Sequence, residues 1–206
     1  MYVTKRINCL RKYAPLINMV YGRRWRVVVV GHSYIRRLGQ YMYTDSRRRN
    51  LMLSNVDVSV AGYGGVTVSR LYDELHSNIV ADANVIFVHI GENDYEHHEP
   101  MVTAQRIMSL ATDMVCTHNA RCVIISELVR FAVNRSDWYI RVNRCLRHLA
   151  REVAVYNIRL WRQRRGLYNT RSCLFDRHGV HLNPVHMQVY WNSVRYTVLS
   201  CMHRQR

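Results

Sequence analysis

Four consecutive valines, Val27 to Val30, followed at once by Gly31, narrow the possible folds more than any other feature of the chain. A strand with one face in water alternates apolar and polar residues; this run does not alternate, so both of its faces must be covered. The β-branched side chains favour extended backbone. Strands of this kind lie at the centre of parallel sheets, with helices packed on both sides.

The rest of the sequence repeats that rhythm. Val56–Ala61, Val85–Ile90, Cys122–Ser126 and Tyr156–Leu160 read as four further strands. Amphipathic segments separate them: a helix over Ser33–Met42, one carrying Val68, Leu71, Leu75 and Ile79 as a single apolar stripe, and one near Met101–Thr117. Another runs from Asp137 to about Val153, and a last one begins at Pro184. Thr67 and Asp137 are the expected N-caps of their helices. The expectation is an α/β protein, a three-layer α/β/α sandwich around a five-stranded, mainly parallel sheet. Residues 1–24 form a basic N-terminal extension and 25–206 the single domain.

Charge raises a second possibility. The chain has 30 Lys+Arg against 14 Asp+Glu, a formal net charge of +16, and its lysines are Lys5 and Lys12 alone. The excess is therefore guanidinium, suited to bidentate contact with phosphate or carboxylate, and RNA, DNA or another polyanion is a partner to test. Arg47–Arg49 and Arg162–Arg165 are the densest clusters, both expected on exposed turns.

The six cysteines show no C-x-x-C pair, which fits a reducing compartment. No apolar stretch reaches the length of a membrane span, and no secretory signal is expected. The first acidic residue is Asp45, a charge pattern like that of a transit peptide but with little serine. A cytoplasmic setting is the expectation.

In a parallel sheet, functional loops lie beyond the carboxyl ends of the strands. Ser33, in Gly31-His32-Ser33, stands at a strand-to-helix turn, where a helix N-terminus favours developing negative charge on oxygen. Gly64-Gly65 follows the second strand and lets backbone approach a ligand. Asn93, in Gly91-Glu92-Asn93-Asp94 after the third strand, offers an amide donor. His181, in Gly179-Val180-His181-Leu182-Asn183, precedes the last helix. Each residue alone has an ordinary structural reading as a cap, turn or surface residue.

Together the four blocks resemble those of the SGNH (GDSL-type) esterase and lipase superfamily, as a Gly-His-Ser variant of the kind seen in invertebrate SGNH-like proteins. The resemblance covers about residues 25 to 204. It implies a flavodoxin-like arrangement of the sheet, with Ser33 as nucleophile and His181 as general base. The N–H groups of Ser33 and Gly65 and the Asn93 amide would form the oxyanion hole. The expected activity is hydrolysis of a carboxylic ester or O-acetyl group, on a small-molecule, glycan or lipid substrate, through an acyl-enzyme.

Two positions depart from the family pattern. His32 replaces the aspartate that usually precedes the serine, which is not the triad acid. His178 occupies the place of the triad aspartate, three residues before His181, and the nearest carboxylate is Asp176, five residues before it. Losing a triad acid can cost about four orders of magnitude in turnover. Asp176 is therefore the candidate substitute, and the alternative is a catalytically degenerate domain that binds RNA or another polyanion through its arginines. His97-His98 and the other histidines show no spacing that suggests a metal, and no cofactor is expected.

Overall fold

The computed structural model describes residues 24–75, 77–129, 137–153, 157–163 and 175–204. Its five strands are β1 (Trp25–Gly31), β2 (Val56–Gly62), β3 (Val85–His89), β4 (Val123–Ser126) and β5 (Ile158–Trp161). They form one sheet in the order β2-β1-β3-β4-β5, and every pairing is parallel. The α-helices are α1 (Ser33–Tyr43), α2 (Val68–Glu74), α3 (Ser77–Val80), α4 (Pro100–Cys116), α5 (Trp138–Glu152) and α6 (Pro184–Arg204). None of the described helices is long and apolar enough to cross a membrane.

Strand periodicity divides the core into two layers. Val28, Val30, Ile86, Val88, Val123 and Ile125 pack with residues of α2, α4 and α5 on one face. Val27, Val29, Val85, Phe87, Cys122 and Ile124 pack with α1 and α6 on the other. The four valines of β1 are wholly buried, which is why their run shows no alternation. The three-layer α/β/α sandwich expected from the sequence is the one observed.

Local details differ. The apolar stripe Val68–Ile79 does not form one helix: the chain leaves helical conformation at Leu75 (φ −77°, ψ 93°), and the carbonyls of Ile79 and Ala81 turn toward the Arg26 guanidinium on β1. Thr67 does cap α2, its side chain accepting from the Arg70 N–H. Asp137 occupies the N-cap position of α5 but makes no side-chain cap bond, because its backbone is already near helical (φ −75°, ψ −2°) rather than extended. The fifth strand starts at Ile158; Tyr156 lies outside the described residues.

So do 1–23 of the basic extension and two arginines of the Arg162–Arg165 cluster. Arg47 and Arg48 pair with Asp45, and Arg48 lies 4.1 Å over the Tyr41 ring. Arg26 and Arg147 serve internal bonds, the latter to the buried Glu127 carboxylate at 2.7 Å. Part of the arginine excess is thus structural.

The end of β2 packs directly on α1. A Cβ at Gly62 would stand 2.1 Å from the Arg36 backbone nitrogen, and that atom is part of a helix and cannot yield. Gly62→Ala should therefore destabilise the fold by about 3 kcal/mol, read as a lower urea midpoint at unchanged slope.

Candidate active site

Ser33 is the first residue of α1, directly beyond the carboxyl end of β1, with its hydroxyl at the positive end of an 11-residue helix. The residue before it, His32, holds the N-cap position with extended backbone (ψ −157°). Its N–H donates to the His89 carbonyl at the end of β3, and its own carbonyl accepts from Ile35 and Arg36. The Tyr63 N–H beyond β2 donates to the Gly31 carbonyl, so the turn that presents Ser33 is tied to the ends of both neighbouring strands.

His181 meets the serine from the solvent side, with its Nε2 3.2 Å from Ser33 Oγ. The small loop that carries it is built on the bridge Phe175↔Leu182 and the turn bond from the Gly179 N–H to the Asp176 carbonyl. The Asp176 N–H donates to the His181 carbonyl at 2.7 Å, and the Tyr34 hydroxyl of α1 donates to the Val180 carbonyl at 2.8 Å. The six residues from Asp176 to His181 are in this way folded back on themselves. Asp176 Oδ2 lies 3.7 Å from His181 Nδ1, within ion-pair reach and beyond a direct hydrogen bond. Its Oδ1 accepts from the His178 N–H, and Arg37 stands 3.7 Å from Oδ2.

His178, at the family's acid position, is exposed and accepts a bond from its neighbour Arg177. Burial and the guanidinium of Arg37 push the His181 imidazole below its ordinary value against the opposing pull of Asp176, with smaller downward contributions from His32 and Arg36. Asp176 is itself held below the usual carboxylate range, where the N–H groups of His178 and His181 outweigh its desolvation.

The second and third loops converge on the same end of the sheet. Gly65 adopts φ +66°, and the space where a side chain would sit is open. The Asn93 amide donates one N–H to the Val66 carbonyl at 2.9 Å, which fixes the Gly65 loop, and its second N–H has no partner among the described residues. Asp94 Oδ2 accepts from the Val68 N–H and anchors the start of α2. A groove of about 500 Å³ beside Arg36, Gly39 and Gly62 lies along the flank of α1, away from Ser33.

A buried polar cluster behind Ser33 was not foreseen from the sequence. Glu92 and His89 are wholly buried, as is His32. Glu92 Oε1 accepts from His89 Nε2 at 2.6 Å and from the Val129 N–H at 2.9 Å, while its Oε2 faces His32 Nε2 at 2.9 Å. On the far side, His89 Nδ1 lies 2.5 Å from the Tyr190 hydroxyl on α6. Burial would raise the Glu92 carboxyl, but the two imidazoles facing it hold it well below the usual range. Burial keeps His89 below its ordinary value and Tyr190 above its own. A histidine at the end of an otherwise apolar strand, three residues before a glutamate, was the available signal: a buried imidazole needs a partner.

His32, His89 and Glu92 also bring ligand-type atoms within 4.8 Å of one another, the one such grouping among the described residues. Those atoms face each other at hydrogen-bond distance, which suits a proton-sharing network better than a metal.

No family model matches the sequence, and no curated protein matches it. Solved structures do. A lipolytic protein of the G-D-S-L family from Veillonella parvula aligns with TM-score 0.65 and 16% identity, over 82% of this chain and 95% of that one. A carbohydrate esterase of family 3 from Talaromyces cellulolyticus aligns with TM-score 0.67 and 12% identity, over 87% and 99%. A lipase/acylhydrolase from Enterococcus faecalis gives 0.65 and 13%, over 84% and 95%. With its five parallel strands and the Ser33 and His181 loops at their carboxyl ends, the chain has the fold of the SGNH (GDSL-type) hydrolases.

Proposed function

We propose that the protein is a serine hydrolase of carboxylic esters, including O-acetyl esters, acting through an acyl-enzyme. The observation that carries this reading is the 3.2 Å contact between Ser33 Oγ and His181 Nε2, at a helix N-terminus beside the Gly65 and Asn93 loops. Nucleophile, base and oxyanion donors are the parts acyl transfer requires. Esterases and lipases among the structural neighbours add support at the level of the fold.

In the proposed cycle, Ser33 Oγ attacks the carbonyl carbon as His181 Nε2 takes its proton. The oxyanion receives the N–H groups of Ser33 and Gly65 and the free N–H of Asn93. His181 returns the proton to the leaving alkoxide, then activates the water that cleaves the acyl-serine. Asp176 steadies the imidazolium from 3.7 Å, as a charge rather than as a direct hydrogen-bond acceptor.

Ser33→Ala should abolish labelling by a fluorophosphonate probe that the unmodified protein accepts. Equal labelling of the two folded proteins would reject Ser33 as nucleophile, and no labelling of either would reject the hydrolase reading. Asn93→Ala should lower kcat on an aryl acetate by about 10²–10³.

Because the His181 base must be neutral, kcat/KM should rise with pH through an inflection below the ordinary imidazole value of about 6.5. Arg37→Ala removes a repelling cation and should move that inflection up. Asp176→Asn removes an attracting anion and should move it down, with about a ten- to hundredfold loss of rate. Inflections left unchanged in both variants would show that neither group acts on His181.

A further inference from the structure

Ser33 has two imidazole neighbours. Besides His181, the Nδ1 of His32 lies 3.4 Å from Ser33 Oγ, on the buried side of the hydroxyl. We propose, on the basis of the serine hydrolase reading, that His32 is a second general base for Ser33, with Glu92 as its acid, so that an inward-facing triad Ser33–His32–Glu92 supplies the carboxylate missing three residues before His181.

The argument rests on how the protons must be placed. His32 Nε2 and Glu92 Oε2 are wholly buried and meet as an ion-pair contact at 2.9 Å; neither makes an aligned hydrogen bond to any group among the described residues, so each is the only polar partner within reach of the other. A buried carboxylate oxygen facing an imidazole nitrogen without a proton between them would leave two lone pairs opposed in a medium of low dielectric. The proton therefore belongs on Nε2, and in that tautomer Nδ1 presents its lone pair toward the serine hydroxyl.

The rest of the network enforces the same direction. The Tyr190 hydroxyl, held protonated by burial, donates to His89 Nδ1; His89 Nε2–H then donates to Glu92 Oε1, alongside the Val129 N–H. With two donors on Oε1, the Glu92 charge is fixed in place and its other oxygen is aimed at His32. The arrangement is that of a serine, an imidazole and a buried acid in sequence. By contrast, Asp176 stands 3.7 Å from its imidazole and is partly exposed to solvent.

The step balances without a further reactant. The Ser33 O–H bond breaks as Oγ bonds the carbonyl carbon, the proton moves to His32 Nδ1, and the carbonyl electron pair becomes the oxyanion. When the ester C–O bond breaks, the alkoxide takes a proton from water on the open, His181 side. The resulting hydroxide attacks the acyl carbon, and His32 returns its proton to the departing Ser33 oxygen. Glu92 is a positioning residue in this scheme, since it touches His32 and not the substrate.

The test uses fluorophosphonate labelling rates, because fluoride leaves without needing a proton. His181→Ala should keep Ser33-dependent labelling at roughly a hundredth of the unmodified rate or more, and adding His32→Gln should lower it at least a further hundredfold. The proposal is overturned if His181→Ala is as inert as Ser33→Ala, or if His32→Gln changes nothing in that background. An unmodified protein that does not label at all removes the hydrolase reading and this proposal with it.

Since His32 is buried and its replacement can unfold the chain, the tautomer is read independently by ¹⁵N–¹H NMR of the histidine rings in the unmodified protein. Protonation on Nε2, with Nδ1 shifted as a hydrogen-bond acceptor, is the expected result, and Glu92→Gln should perturb that signature. A proton resident on Nδ1 overturns the assignment.

Discussion

The position of β1 between β2 and β3 is the constraint on which the rest depends. The chain runs outward from β1 to the edge strand β2, then returns to β3 on the other side, so the sheet changes direction at β1. Loops after β1, β2 and β3 consequently open at one crevice, because crossovers on either side of a switch point leave it by opposite faces. Ser33, Gly65 and Asn93 follow those three strands in that order. The apolar register of β1, seven residues paired on one side and five on the other, sets where the serine emerges.

A buried carboxylate is the second organising element. Removing an ion from water is costly, and Glu92 is tolerated only because an imidazole, a backbone N–H and a second imidazole converge on it. Those partners come from β3, from the segment after β4 and from the turn after β1, and Tyr190 brings in α6. The cluster therefore couples the elements that carry Ser33 to the helix that follows the His181 loop. A single charge beneath Ser33 stabilises one arrangement of several loops at once.

The arginine content finds a partial structural explanation in the same terms. Arg26 ties β1 to carbonyls at the end of α3 and just beyond it, and Arg147 neutralises a wholly buried Glu127. Guanidinium is suited to both roles, since it offers several donors in a fixed plane and stays charged when desolvated. Cys122 and Cys201, far apart in sequence, meet in the core with their sulfurs 2.8 Å apart.

The sequence by itself determined the layers and the order of the blocks. Periodicity is local: valines without alternation require two covered faces, and glycine after a strand marks the turn where a helix can begin. It also brought forward Ser33, Gly65, Asn93 and His181, because each follows or precedes an element that could be located without knowing its neighbours. What the tertiary structure decided were contacts between distant segments. That Asp176 and not His178 faces His181 depends on a turn closed by Gly179 and on the bridge between Phe175 and Leu182, neither of which has a periodic signature. That His32 faces a carboxylate depends on β1 and β3 being neighbours in register, which places residues 60 positions apart within 2.9 Å. Local pattern reports which face of an element is buried, and only packing reports which polar atom waits there to share a proton.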